Sequence, residues 1–491
     1  MRRDIPRIQF RLDHGYAFPV PLRVDEADPG NLIVGQSTAG QPMDAFFLGR
    51  LAEFEAMHNK IWLDSRGAHA IYVMGKRRSG KTYTLGVISE GLAASDWVNQ
   101  GGQRQGVVIL DTMNVFLTMP YLVSETFGSD HDDSVELRRW GIPAERLNLT
   151  LYYPRGTEPP PEGASRELSL RVHDLGAEDW AALFEVDTYS DPIGQLMAEL
   201  HECVALEGYT NRSQMRVAAK KGYAIADLLA CLDDNPNIDR YEARTTEAVR
   251  RRLSAVRRLP IFSDAGTEVR ELFEPGHISV ILLGALHQRV RGLLIGCLIK
   301  RIMALRSRSD RYERLAAVHL AKHEGAKDRN TPEARAAWER YEEYKKRASE
   351  GIGRGWIIID EAHNYVPSTG VVASKEPLRR YINEGRNLGL SIVVATQQPS
   401  GLDPAIRRNA DILIIHAMSM RDDITAAEAM VNTFIPDRVR YDRTEEITTR
   451  TFEQLVRSLD RGYCVISTDR ASRVFPVKVR PRLTVHGGRE Y

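Results

Sequence analysis

The sequence predicts an α/β chain built on a largely parallel sheet with helices on both faces. Three observations predict it. Short apolar runs alternate with helical patterns through the middle of the chain. One run, Ala70-Ile71-Tyr72-Val73-Met74, leads into Gly75-Lys76-Arg77-Arg78-Ser79-Gly80-Lys81-Thr82, which fits G-x-x-x-x-G-K-[ST]. Another, Trp356-Ile357-Ile358-Ile359, ends in the acidic pair Asp360-Glu361.

The glycine-rich run sits where its chemistry needs it, between an apolar strand and the helical pattern opening at Thr84. Backbone amides of such a loop wrap phosphate oxygens, and the helix dipole adds to their attraction. Lys81 is placed to reach the β- and γ-phosphates of ATP and Thr82 to hold Mg²⁺. Gly75, Ser79, Gly80 and Tyr83 complete the expected nucleotide contacts. A simple glycine turn is the competing reading, and it leaves the flanking strand and helix unexplained. Asp360 is expected in the Mg²⁺ shell, through water because this ion keeps much of its hydration. Glu361 is placed to polarise an attacking water, so the pair predicts hydrolysis rather than binding alone.

At 491 residues the chain is too long for one simple core and suggests two or three units. Residues 1–51 are expected to form a small N-terminal β subdomain, from the alternation at Arg7–Leu12 and the apolar run Asn31–Val34. Residues 52–120 hold the phosphate loop and the strand Val107–Leu110, the first half of an ATPase core. Residues 121–275 are read as a mainly helical insertion, with helical patterns at Ile193–Ala205 and Thr245–Arg258. Residues 276–440 complete the core around a charged helical excursion at 306–350, and 441–491 supply C-terminal strands and a tail. The hydrophobic fraction of 43% is that of a globular protein. Cys203, Cys231, Cys297 and Cys464 show no metal spacing and fit a reducing cytoplasm. The start of the chain does not read as a signal segment, and Leu293–Ile299 is too short to span a bilayer. A cytoplasmic protein without membrane contact is therefore expected. The net charge of +1 leaves DNA contact to local patches or to a ring-shaped assembly.

The motif spacing resembles that of the HerA/FtsK superfamily of hexameric DNA-translocating ATPases, HerA in particular. The residues responsible are Gly75 to Thr82, Ile359-Asp360-Glu361-Ala362-His363-Asn364-Tyr365-Val366-Pro367, Glu384-Gly385-Arg386-Asn387-Leu388-Gly389-Leu390 and Ala395-Thr396-Gln397-Gln398-Pro399-Ser400. The resemblance implies a P-loop RecA-like core of the additional-strand (ASCE) type. It also implies that Arg386 reaches a neighbouring subunit's γ-phosphate, where a planar cation stabilises charge developing in phosphoryl transfer. The alternative for Arg386 is a surface arginine at a helix C-terminus. Gln397 either senses the γ-phosphate and holds the attacking water or bonds loop backbone. His363 reads as a packing residue that couples its strand to the following loop.

The same resemblance implies a homo-oligomer, a hexamer, that grips double-stranded DNA through phosphates without sequence preference. HerA proteins pair with NurA-type nucleases or with effectors in antiphage defence, so a partner nuclease or defence effector is expected. Candidate DNA loops are Ser368–Glu376 with Lys375 and Ser400–Asn409 with Arg407 and Arg408, the last two equally suited to a subunit interface. The chain departs from the family pattern at Val115, where Asp111-Thr112-Met113-Asn114-Val115-Phe116 lacks the usual acidic residue. It departs again at Gln398, in the basic loop residues Lys76, Arg77 and Arg78, in the short N-terminal segment and in the enlarged insertion. These departures point toward a defence-associated version. The alternative, favoured by Val115 and the modest net charge and opposed by Glu361, Arg386 and Gln397, is a nucleotide-gated scaffold that organises an effector with little translocation. A conjugation or secretion ATPase would be expected to carry a membrane anchor.

Overall fold

A computed structural model describes residues 8–11, 17–20, 23–24, 31–35, 45–52, 59–94, 99–100, 104–128, 131–143, 145–263, 266–431, 435, 437–443, 446–468 and 474–488. Among the described residues, one 15-stranded sheet organises the chain. Eight neighbouring strands run parallel, in the order Ser165–Leu168, Asn148–Pro154, His277–Leu282, Gly106–Asp111, Gly355–Ile359, Leu390–Thr396, Ala70–Met74 and Ile412–Ile415. Antiparallel pairing then adds Tyr463–Thr468, Phe475–Val479, Ala45–Leu51 and Lys60–Asp64. Helices cover both faces, so the central strands are buried on both sides and read as unbroken apolar runs. Every residue of Ala70–Met74 and Gly355–Ile359 is buried for that reason.

The strand order carries the fold class. Leu390–Thr396 lies between the phosphate-loop strand and the Asp-Glu strand, bonded to both. That intercalated strand is the mark of the additional-strand P-loop core. Because these strands are parallel, their C-terminal ends share one edge of the sheet. Gly75, Asp111, Asp360 and Gln397 all follow such ends, the edge where open α/β sheets bind ligands.

Other segments differ from a reading based on periodicity. The region 121–275, expected to be mainly helical, also supplies the strands Asn148–Pro154 and Ser165–Leu168 to the parallel sheet. These lie at the sheet's end and are only partly buried, so no apolar run announces them. Its helices Ala177–Phe184, Pro192–His201, Ile225–Asp234 and Ala243–Val256 pack together beside the helix Gln288–Glu324. The described strands of the first segment form no closed barrel. Asn31–Val34 and Ala45–Leu51 extend the main sheet, and Ile8–Arg11 pairs with Ala17–Val20 in a two-stranded ribbon.

The charged excursion is a helical hairpin. Gln288–Glu324 has 37 residues, a rod roughly 55 Å long at 1.5 Å per residue. Pro332–Ser349 packs back along it, with Tyr312 stacked on Tyr344 and His323 tilted against Trp338. Arg306, at the start of the charged run, is fully buried. It forks onto Glu313 at 2.6 and 2.5 Å and donates to the Leu388 carbonyl at 2.6 Å. The hairpin therefore braces the turn that carries Arg386.

A second buried charge cluster pins the sheet just before the phosphate-loop strand. His69 Nδ1 meets Asp411 at 2.6 Å and Nε2 meets Asp64 at 3.2 Å. Burial opposes protonation, yet the hydrogen bonds and charges of Asp411 and Asp64 outweigh it and raise His69 to about 9. A raised histidine contributes stability that is whole below its ordinary value near 6.5 and lost as pH rises through about 9. The wild-type melting temperature should therefore fall across that window more steeply than that of His69→Gln protein. Equal slopes in the two proteins would remove His69 from the account.

Candidate active site

The phosphate loop is shaped before any ligand arrives. Gly75 N donates to the Thr396 carbonyl at 3.3 Å and Lys76 N to the Ala417 carbonyl at 2.7 Å, which ties the loop to two flanking strand ends. A Cβ at Gly75 would lie 2.5 Å from Ser79 Oγ and 2.7 Å from His416 Cβ, so no side chain fits there. Helix Lys81–Ala93 starts directly after the loop. Lys81 is 5% exposed, and its Nζ closes the loop by donating to the Lys76 carbonyl at 2.9 Å. Burial lowers its pKa, against the opposing charges of Glu361 and Asp360. An anion in the loop would give that ammonium a better partner than a carbonyl.

Asp360 and Glu361 face this lysine from the next strand end but one, across Leu390–Thr396. Thr82 Oγ1 donates to Asp360 Oδ2 at 2.9 Å, so the two expected Mg²⁺ contacts are already paired. Burial raises Asp360 above the usual carboxylate range, and the charge of Glu361 adds to the effect. Hard oxygen donors on one hydroxyl and one buried carboxylate suit Mg²⁺, which takes few protein ligands and keeps its waters. Among the described residues no cluster of three or more His, Cys, Asp or Glu forms a metal cage, in keeping with that mode.

Glu361 has a left-handed backbone, φ 50° and ψ 45°, uncommon for a non-glycine residue. The twist carries its side chain to Gln397, whose amide nitrogen donates to Glu361 Oε1. Glu361 Oε2 and Ser79 Oγ are buried without a hydrogen-bond partner among the described residues. A vacant carboxylate lone pair beside the phosphate loop is the feature a water-activating base needs. His363 Nδ1 meets Thr396 Oγ1 at 3.1 Å, joining its strand to the next, and lies 3.5 Å from Glu361 Oε2.

Asp111 lies one strand further out and is fully buried. It accepts amide hydrogens from Met113, Val115 and Phe116, at 3.2, 3.1 and 2.7 Å. Burial raises it to about 7 despite those bonds, with the charge of Asp360 adding to the rise. Val115 and exposed Met113 reach the cleft with apolar side chains.

The far wall of the cleft was not visible in the motifs. Trp140, Pro481 and His486 line it beside the expected Tyr83, so the C-terminal tail closes a pocket opened by the phosphate loop. Glu90, fully buried on the phosphate-loop helix, anchors that tail. Its Oε2 accepts from Arg480 at 3.0 Å and its Oε1 from Arg482 at 3.2 Å. Leu483 N, Thr484 N and Thr484 Oγ1 also donate to it. His416 braces the same helix, meeting Thr84 Oγ1 and the Tyr463 carbonyl at 2.9 Å each.

Arg386 is not in this cleft. It precedes the strand Leu390–Thr396, and Gln397 follows that strand. Seven residues at about 3.3 Å each separate the two by roughly 20 Å. Arg386 is exposed in a groove shared with Arg66, Arg314 and Arg354 on the opposite edge of the sheet. Of the candidate DNA residues, Lys375 is 3.6 Å from Asp403 and mostly covered. Arg408 is exposed, and Arg407 ends the short helix Pro404–Arg407.

No protein-family model matches the chain, and no curated protein does. Solved structures do. The chain is similar to VirB4 of Thermoanaerobacter pseudethanolicus at 13% identity, over 91% of this chain and 98% of that one, with a TM-score of 0.47. It is similar to the plasmid coupling protein TrwB, solved with ADP and Mg²⁺, at 11% identity over 92% and 98%, with a TM-score of 0.47. The genome packaging NTPase B204 of Sulfolobus turreted icosahedral virus 2, solved with ATP-gammaS, matches at 10% identity over 84% and 97%, with a TM-score of 0.25. The fold class stands on the strand order given above. Among the described residues no helix is long and apolar enough to cross a membrane.

Proposed function

We propose that the protein is a ring-forming, ATP-hydrolysing DNA translocase of the HerA type. It acts with a partner nuclease or effector in DNA processing or antiphage defence. One observation carries the hydrolytic reading: Glu361, twisted toward Gln397, keeps a buried carboxylate oxygen free of hydrogen bonds beside Lys81 and the Thr82–Asp360 pair, with His363 Nδ1 3.5 Å away.

The residues divide the work. Loop amides, Ser79 and Lys81 hold the triphosphate of ATP, and Lys81 leaves the Lys76 carbonyl to do so. Thr82 and Asp360 would hold Mg²⁺, which when bound neutralises phosphate charge. Gln397 positions Glu361, and Glu361 takes the proton of the attacking water. The water oxygen bonds to the γ-phosphorus as the bond to the bridging oxygen breaks, and ADP departs with that electron pair. Arg386 stabilises the transferring phosphoryl group of a neighbouring subunit, since it is too far from its own cleft.

A second reading has its own observation. Val115 and Met113 present no carboxylate at the cleft, which favours a nucleotide-gated scaffold that holds an effector with little movement on DNA. ATP hydrolysis with and without linear double-stranded DNA, with the mass in solution alongside, separates the two. A translocase is expected to form a ring whose turnover rises strongly with DNA. A ring indifferent to DNA would overturn the translocase reading in favour of the scaffold.

A further inference from the structure

Arg354 stands beside Arg386 in the groove on the sheet edge opposite the phosphate loop. It precedes the strand Gly355–Ile359, and that strand's first residue pairs with Leu390. The two arginines therefore sit at the starts of neighbouring strands. Gly389 makes the approach possible, for a Cβ there would lie 3.0 Å from Arg354 Cγ, Cδ and Nε. At φ 75° that glycine also holds a backbone that other residues rarely adopt.

The charges in the groove do not balance. Its two acids are taken, Asp310 by Arg314 at 2.8 Å and Glu313 by buried Arg306. Neither the Arg354 nor the Arg386 side chain is within hydrogen-bond or salt-bridge distance of an acid among the described residues, although the Arg354 charge acts on Glu313 and that of Arg386 on Tyr72, and both are exposed. Arg354 and Arg386 line one groove whose acids are shared with other arginines, so an anion bound there would offset charge of both. Both also stand on rigid supports. One is at the foot of a fully buried strand, and the other is in a turn held by Arg306 and by Arg314, which donates to the Asn387 carbonyl at 3.2 Å. Rigid placement of a forked cation suits recognition of a phosphoryl group.

We infer that Arg354 is a second catalytic cation in trans, contacting with Arg386 the γ-phosphoryl group of ATP bound to the neighbouring subunit. The inference rests on the proposed ring ATPase and deepens it. Each cleft then receives two guanidinium groups from its neighbour, one borne by the Asp-Glu strand and one by the turn before the Gln397 strand.

The test compares Arg354→Ala, Arg354→Lys and Arg386→Ala proteins for ATP turnover with and without linear DNA, binding of a fluorescent ADP, and mass in solution. Arg354→Ala should lose turnover about a hundredfold or more, with ADP binding and mass unchanged, and Arg354→Lys should recover part of it. Mixing Arg354→Ala with Lys81→Ala subunits should restore turnover, because each supplies what the other lacks. Wild-type turnover by Arg354→Ala overturns the inference, as does a loss confined to DNA stimulation, which would give the groove to nucleic-acid phosphate. Full turnover by both arginine variants, with Glu361→Gln dead, would overturn the trans arrangement and leave the ATPase standing. A wild-type protein without turnover would end the proposed function and this inference together.

Discussion

Glu361→Gln protein is expected to bind ATP as the wild type does and to hydrolyse it at least about a hundredfold more slowly, the scale of a lost general base. The substitution keeps shape and removes one capability. A glutamine oxygen at 361 can still accept the Gln397 amide hydrogen, so the link between the two strand ends survives. Lys81, Thr82 and Asp360 are untouched, and nucleotide retention should persist. The amide cannot take a proton from water through the position that Glu361 Oε2 now holds without a hydrogen bond. Single-turnover hydrolysis beside equilibrium binding of a fluorescent ATP gives both quantities on one sample. Unimpaired turnover would sink the assignment of Glu361 as base.

Glu90→Gln should be strongly destabilising. Glu90 accepts from Arg480, Arg482, two backbone amides and one hydroxyl, with no solvent contact. Glutamine keeps one acceptor oxygen and turns an NH₂ toward donors. It also leaves two buried guanidinium charges without their anion. Breaking a buried ion pair from one side costs about 3–5 kcal/mol. The loss should show as a lowered unfolding midpoint and as protease cleavage near residues 480–488 under native conditions. An unchanged midpoint with a protected tail would mean that backbone acceptors alone hold the arginines.

Sequence and structure agree closely where burial is symmetric. Ala70–Met74 matches its strand to the residue, because a strand covered on both faces is apolar throughout. The acidic pair follows the strand Gly355–Ile359 for the same reason. Legibility fades at the sheet's end, where Asn148–Pro154 mixes polar and apolar residues. It fails for partners distant along the chain. Glu90 and Arg480 are separated by 390 positions, and nothing local marks either as buried. Arg306 reads as one charge among many, yet it is enclosed. Cys203 and Cys231 look scattered, but their sulfurs lie 3.5 and 3.8 Å from one Asn235 nitrogen. Gln397 could be named from its motif, whereas its bond to Glu361 required the left-handed turn at that residue.

The tail's anchorage also bears on how the chain is made. Glu90, on helix Lys81–Ala93, leaves the ribosome 390 residues before Arg480. Until then Glu90 has no counter-charge and cannot enter the interior at the low cost it enjoys in the finished protein. This wall of the nucleotide cleft therefore forms only after residues 480–488 are made, and a chain that stops short of them has an open cleft. Synthesis through these residues is thereby built into the chemistry, since only a chain that includes them presents both walls to ATP.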